Sequence, residues 1–160
     1  HSLQVLAILT THFRRILVPI DGSDTAQRGL QEALSLAKLC DASLVLLSVV
    51  EYYPMMMEMA TATTWELVTT DLRSHHQRVL DRAHEAAKSA GVASETHLED
   101  AAAARVCDVI VDQAREHHCD LIVMGTHGRR GIEHAMVGSD AERVIRMSTV
   151  PLLLVKSQKK

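Results

Sequence analysis

Apolar positions along this chain fall into two alternating patterns. Short, nearly continuous apolar runs occupy Ile16–Ile20, Ser43–Val50, Leu121–Met124 and Val150–Val155, with a weaker run at Val92–Leu98. Runs of this kind suit strands buried on both faces of a parallel sheet. Between them, apolar positions step by three or four, the helical period. Ala26, Leu30, Ala33, Leu34 and Ala37 form the first such stripe. Trp65, Val68, Leu72, His76, Val79, Ala83, Ala86 and Ala90 form the second. Ala103, Val106, Cys107, Ile110, Val111 and Ala114 form the third, and Gly138–Met147 reads as a fourth helix. Asp21-Gly22-Ser23-Asp24 breaks the first run, with Ser23 a candidate N-cap. Gly91 ends the second helix. Glu51–Thr64 shows no period, holds Pro54 and four methionines, and reads as a loop or lid. The order β-α-β-α-β-α-β-α-β predicts an α/β fold: an open parallel sheet with helices on both faces. No internal repeat or low-complexity tract divides it.

The length of 160 residues suits one domain. Aromatic residues make up 2%, too few for a base-stacking platform. A formal net charge of -3 provides no basic excess for a nucleic-acid backbone. No apolar run approaches the ~20 residues that span a bilayer, so no membrane partner is expected. Cys40, Cys107 and Cys119 are odd in number and contain no CxxC, which reads as reduced thiols in a cytoplasmic protein. Residues 1–13 are read as an N-terminal extension of unassigned role, its apolar stretch Leu3–Leu9 too short and weakly flanked for a signal peptide. Residues 14–157 then form the domain, and 158–160 a solvated tail.

In sheets of this class ligands sit beyond the carboxyl ends of the strands, where the winding reverses. Two strand ends carry suitable residues: Pro19-Ile20-Asp21-Gly22-Ser23 and Met124-Gly125-Thr126-His127-Gly128. The second continues as a thirteen-residue loop to Val137 and meets a helix at Gly138-Ser139. Glycines let backbone N–H groups approach a ligand, and a helix N-terminus favours an anion. Arg129 and Arg130 add positive charge to the loop. Local readings compete at two positions. Ser139 and Glu142 match a capping box, so Ser139 serves either its own helix or a phosphate. Asp21 serves either a ligand or its own turn before Gly22.

Gly125, Gly128, Gly138 and Ser139 fill every fixed position of G-x2-G-x9-G-[ST]. With Ile16-Leu-Val-Pro19-Ile-Asp21-Gly-Ser at one end and Val150-Pro-Leu-Leu-Leu-Val155 at the other, the chain resembles the universal stress proteins, in their nucleotide-binding branch. The resemblance covers roughly Arg14 to Lys156. It implies a Rossmann-like five-stranded sheet in the order 3-2-1-4-5, with ATP, or ADP or AMP, between strands one and four and Mg²⁺ beside the phosphates. Pro19, Ile20 and Asp21 then line the adenosine site, with Asp21 accepting from ribose hydroxyls. Val49 matches the position whose backbone meets the adenine edge. Met124 and Gly125 flank the ribose and phosphates. Gly128, Arg129, Gly138, Ser139 and Asp140 belong to the phosphate cradle. Asp140 departs from the small or β-branched residue usual in the family and competes electrostatically with a triphosphate. A homodimer through the last strand, Val150–Val155, is also implied, and an exposed apolar edge strand independently invites pairing.

No GxxxxGK[ST] provides a P-loop lysine. His127 and Glu133 are the loop residues available for a catalytic role, and a nucleotide-responsive binding protein is the reading preferred over an enzyme. Two alternatives stay open: an interaction protein that uses no nucleotide, and an adenylate-forming or ATP-hydrolysing enzyme. The ten histidines suggest metal binding, but His75-His76 and His117-His118-Cys119 are sequence neighbours that point apart on a helix, so no metal site is expected. The Met55–Met57 and Met59 cluster reads as an adaptable apolar patch.

Overall fold

The computed structural model describes residues 13–52, 58, 61–126 and 137–156. Its elements in chain order are β1 (Arg15–Pro19), α1 (Asp24–Cys40), β2 (Ser43–Val50), α2 (Ala62–Ser89), β3 (Ser94–Asp100), α3 (Val106–Glu116), β4 (Leu121–Gly125), α4 (Ser139–Met147) and β5 (Leu152–Val155). All five strands pair in parallel, in the order β3-β2-β1-β4-β5. The expected sheet and its order are therefore present.

The continuous apolar runs become the central strands because both of their faces are covered. Ile16 and Val18 face α1 and α2, together with Leu30, Ala33, Leu44, Leu46 and Leu80. Leu17, Val45 and Leu47 face α3 and α4, together with Ile110, Ala114, Ala141 and Val144. The stripes read from the sequence supply these helix faces. Each helix entry has a local cause. Ser23 Oγ accepts from the Ala26 N–H at 3.2 Å, as an N-cap should. Gly91 follows the Ala90 C-cap of α2 at φ +72, the left-handed turn that glycine adopts without strain.

Several boundaries differ from the periodicity reading. The N-terminal side of α2 begins at Ala62, inside the segment read as a loop, because Thr61 Oγ1 caps the Thr64 N–H. β3 begins at Ser94 and runs two residues past Leu98. Ala103 lies outside α3. Ala102 takes φ +49, the Ala104 N–H closes a turn on the Ala101 carbonyl, and Asp108 accepts from the Arg105 N–H to start the helix. Helix α4 starts at Ser139, with Gly138 as its N-cap. The capping box read at Ser139 and Glu142 is not formed: Ser139 is already the first helical residue, and the Glu142 carboxylate accepts from Arg146 at 2.7 Å. The N-terminal extension, the methionine cluster and the C-terminal tail fall outside the described residues, apart from Phe13. Phe13 packs against the core under α1 and α2.

Among the described residues no helix is long and apolar enough to cross a membrane. Cys40, Cys107 and Cys119 are free and buried. Burial pushes the Cys119 thiol up to about 11, although the Arg15 charge pulls the other way. Burial, reinforced by the charges of Asp108 and Asp140, also raises Cys107. A raised thiol pKa lowers the reactive thiolate population. At pH 8, roughly one Cys119 in a thousand is ionised, from a pKa of about 11. A disulfide reagent such as DTNB should therefore react slowly with the native protein and rapidly after denaturation. An immediate stoichiometric reaction of the native thiols would contradict the buried arrangement.

Candidate nucleotide crevice

The pairing of the sheet stops short where its winding reverses, between β1 and β4. Pairing of β1 with β4 ends at Leu17↔Ile122, although β1 runs on to Pro19 and β4 to Gly125. Each strand keeps its outer neighbour for longer, to Pro19↔Leu47 on one side and Gly125↔Val155 on the other. The cause is a single residue. The β1–β4 register puts the next rung on the backbone N–H of residue 19, and proline has none. The ladder stops there, at the carboxyl ends of both strands, which is where sheets of this class place their ligand crevice.

Backbone groups face this crevice from two sides. The Ile20 N–H donates to the Leu47 carbonyl at 2.8 Å, so Leu47 presents its backbone edge to β1. Backbone edges alternate along a strand, so Val49 presents the same edge past the point where β1 turns away at Asp21. The Thr126 N–H donates to the Val155 carbonyl at 2.9 Å, which turns Thr126 toward β5. Its neighbour Gly125 then turns its backbone toward β1.

Gly125 is also held by packing. A Cβ there would lie 2.8–2.9 Å from the Thr25 backbone and Cβ, closer than real contacts allow. The first turn of α1 rests directly on the end of β4. Gly22 takes φ +83, and a Cβ there would press on Val79 of α2 at 3.2 Å.

The Asp21 turn is braced from below. His76 is 5% exposed, and its Nδ1 lies 2.7 Å from Ser48 Oγ. Ser48 donates its one proton to the Ile20 carbonyl at 2.8 Å, so His76 Nδ1 is the donor to Ser48. This chain ties α2 to β2 and to the end of β1. Asp21 Oδ1 accepts from the Ser23 N–H at 2.9 Å, so the turn-forming role is real. A carboxylate has a second oxygen, so this bond does not exclude a ligand role.

Thr126 and Gly138 pin the ends of the glycine loop together, the Gly138 N–H donating to the Thr126 carbonyl at 2.8 Å. Gly138 has no side chain to cap α4, and the helix opens with Ser139 and Asp140, both exposed. Pro19, Ile20, Asp21, Val49, Met124, Gly125, Gly138, Ser139 and Asp140 thus occupy the carboxyl ends of β1, β2 and β4 or the start of α4. Ile20 and Met124 are 5% and 7% exposed, so their contribution to the crevice is mostly backbone. Gly128 and Arg129, with Arg130, His127 and Glu133, lie outside the described residues.

Residues 12–156 match the model of the universal stress protein family. The chain belongs to the universal stress protein family. A universal stress protein of Methanocaldococcus jannaschii, MJ0531, is 34% identical over 148 residues, 92% of this chain and 85% of that protein. The crystal structure of a family member from Burkholderia pseudomallei is 31% identical with a TM-score of 0.75, covering 92% of this chain and 98% of that one. The fold is shared with a universal stress protein from Archaeoglobus fulgidus solved in complex with dAMP, 23% identical with a TM-score of 0.64, covering 91% and 99% of the two chains.

Two features of this family member were not read from its sequence. The Ser48–His76 brace was missed because His76 reads only as a member of an apolar stripe. A cluster of Glu95, His97 and His117 was missed because His117 is distant from the other two along the chain. The E-x-H spacing of Glu95 and His97 was the available signal: on a strand it places both on one face.

Proposed function

We propose that this universal stress protein binds an adenine nucleotide, ATP with Mg²⁺, in the β1–β4 crevice and acts as a nucleotide-responsive regulatory protein of the cytoplasm. The observation that carries this reading is the end of the β1–β4 ladder at Pro19, at the winding reversal, with the start of α4 tied to the end of β4 through Gly138 and Thr126. In the proposed complex the Val49 backbone reads the adenine edge, and Asp21 accepts from the ribose. Met124 and Gly125 lie alongside the sugar and first phosphate. Gly128, Arg129, Gly138, Ser139 and Asp140 hold the phosphate chain, using the helix dipole. The fit rests on backbone: Gly138 leaves the α4 terminus without a side-chain cap. The extra carboxylate of Asp140 opposes the triphosphate, and Mg²⁺ offsets it. The dAMP bound to the Archaeoglobus relative is of the same chemical class. The protein is further proposed to be a homodimer through β5.

Calorimetric titration of nucleotide-stripped protein with Mg-ATP tests this reading. Micromolar binding, about -8 kcal/mol, is expected. In Gly138→Val a branched side chain enters the phosphate cradle, and binding should weaken at least a hundredfold. Folded wild-type protein that binds no adenine nucleotide would overturn the proposal in favour of a nucleotide-independent interaction protein. Phosphate release on incubation with Mg-ATP would move the reading toward an ATP-hydrolysing enzyme.

A further inference from the structure

Three metal-ligating side chains meet on the α3 face of the sheet, where the edge strand β3 lies beside the end of α3. Glu95 and His97 are two apart on β3 and share one face. Their register partners Val45 and Leu47 belong to the core under α3, so that face is the α3 side. His117 is the C-cap of α3, and His118 follows at φ +52, turning the chain toward β4. The donor atoms of Glu95, His97 and His117 all lie within 4.8 Å of one another. Glu95 Oε1 is 3.0 Å from His97 Nε2 and 3.4 Å from His117 Nδ1.

The hydrogen bonds behind His117 assign its proton. Gln113 Nε2 donates to Glu116 Oε2 at 2.8 Å, which orients the amide and leaves Gln113 Oε1 3.0 Å from His117 Nε2. An amide oxygen only accepts, so His117 Nε2 carries the ring proton. That leaves His117 Nδ1 as the ring atom turned to the Glu95 carboxylate, 3.4 Å from its Oε1. A ring N–H held by an outer acceptor is also the arrangement that orients a ligating histidine.

We propose that Glu95, His97 and His117 form a binding site for a divalent transition metal of the Zn²⁺ class, with water in the fourth position. Tetrahedral zinc bonds of about 2.0–2.1 Å separate neighbouring ligand atoms by about 3.3 Å. The 3.0 and 3.4 Å from Glu95 Oε1 to the two imidazole nitrogens bracket that spacing, and the two nitrogens lie within 4.8 Å of each other. Two imidazoles and one carboxylate select zinc-like ions over Mg²⁺ or Ca²⁺. Two local changes accompany binding. The His97 ring, tilted 38° against His117 with centroids 3.9 Å apart, rotates out of that stack. Arg15, whose Nη2 lies 2.5 Å from Glu95 Oε1, shifts to the other carboxylate oxygen while its Nε keeps the His117 carbonyl at 2.6 Å. The ligand side chains are 22–42% exposed, so an ion has a path from solvent. The metal would tie the edge strand β3 to the α3–β4 turn and raise thermal stability through binding to the folded state alone.

The test uses chelator-stripped, untagged full chain titrated with ZnCl₂, followed by calorimetry and thermal unfolding. One bound equivalent with a raised Tm is expected. His97→Gln and His117→Gln should each weaken binding at least tenfold, while His118→Gln, at the exposed neighbouring histidine, should not. Wild-type protein alone gives a second readout, Zn²⁺ protection of His97 and His117 from diethyl pyrocarbonate, mapped by mass spectrometry. Absence of Zn²⁺ binding by folded wild type would overturn the site and leave a proton as what bridges Glu95 and His117. So would binding that survives both ligand substitutions, or loss caused equally by His118→Gln. Because Gly138 sits at the start of α4 and is none of the three ligands, Gly138→Val should leave Zn²⁺ binding unchanged, so the two readings fail separately.

Discussion

Gly125→Ala should lower stability by about 1–3 kcal/mol, the usual cost of forcing an extra carbon into a packed site. For a chain of 160 residues that is a fall in Tm of roughly 3–9 °C. The added Cβ would meet the Thr25 carbonyl carbon at 2.8 Å and the Thr25 oxygen at 2.9 Å. Those are backbone atoms in the first turn of α1, and they cannot rotate aside. Relief requires α1 to lift from β4, and α1 starts from the turn that holds Asp21 and Ser23. The same substitution should therefore weaken Mg-ATP binding in the proposed crevice. Gly29, where a Cβ would meet Gly125 N at 3.4 Å, provides the comparison. Its contact is ordinary, so Gly29→Ala should cost much less. Thermal unfolding of the two variants side by side checks the argument. A Gly125→Ala protein as stable as wild type would show that α1 is not seated on β4 as described.

Gly125 also shows where sequence reading stops. In the motif it reads as a residue that lets a ligand approach the backbone. In the fold it has a second reason for being glycine, the helix lying on it, and that contact is with a residue a hundred positions earlier. Pro19 is similar. As part of an apolar run it marks a strand and a ligand-facing turn. That its missing N–H ends one ladder while the other continues depends on the strand order, which no local pattern contains. Elements with a strong period or a continuous apolar run were legible: β2 spans Ser43–Val50 as read, and the sheet order follows from the resemblance. β3 was displaced because its faces carry Glu95, His97 and Glu99 rather than a clean apolar alternation. The capping box at Ser139 failed because the loop closure onto Thr126 sets the helix start at Gly138. For the crevice, the residue set at the three strand ends was legible in the sequence, and the structure adds the end of the β1–β4 ladder at Leu17↔Ile122. The Glu95, His97 and His117 cluster could not be read as one site, since β3 and the end of α3 meet only through the sheet.

Leu153→Lys should convert the proposed homodimer into monomers. β5 ends the sheet, and the alternation of its backbone decides which groups face outward. The Ile122 N–H donates to the Pro151 carbonyl, and the Thr126 N–H to the Val155 carbonyl, so residues 151 and 155 face β4. Pro151 therefore places its missing N–H on the inner side, where it removes no outward rung. Leu152 and Leu154 present the outer edge, and Arg28 of α1 closes its far end by donating to the Lys156 carbonyl. Two copies related by a twofold axis can pair this edge only with itself, which makes the new ladder antiparallel. Leu153, the residue between the two outward rungs, then lies at the axis, opposite its own copy. It is 40% exposed in the single chain, as an apolar residue awaiting cover would be. Lysine there sets two ammonium groups directly across from each other, which is unfavourable in a strand pair, and lysine is also the residue that blunts exposed edges. The monomer should keep its fold, because Leu153 already reaches solvent. Light scattering coupled to size exclusion, with Leu153→Met as the control, reads the outcome. A Met variant that remains dimeric beside a monomeric Lys variant supports pairing through β5, and a Lys variant as dimeric as wild type excludes it.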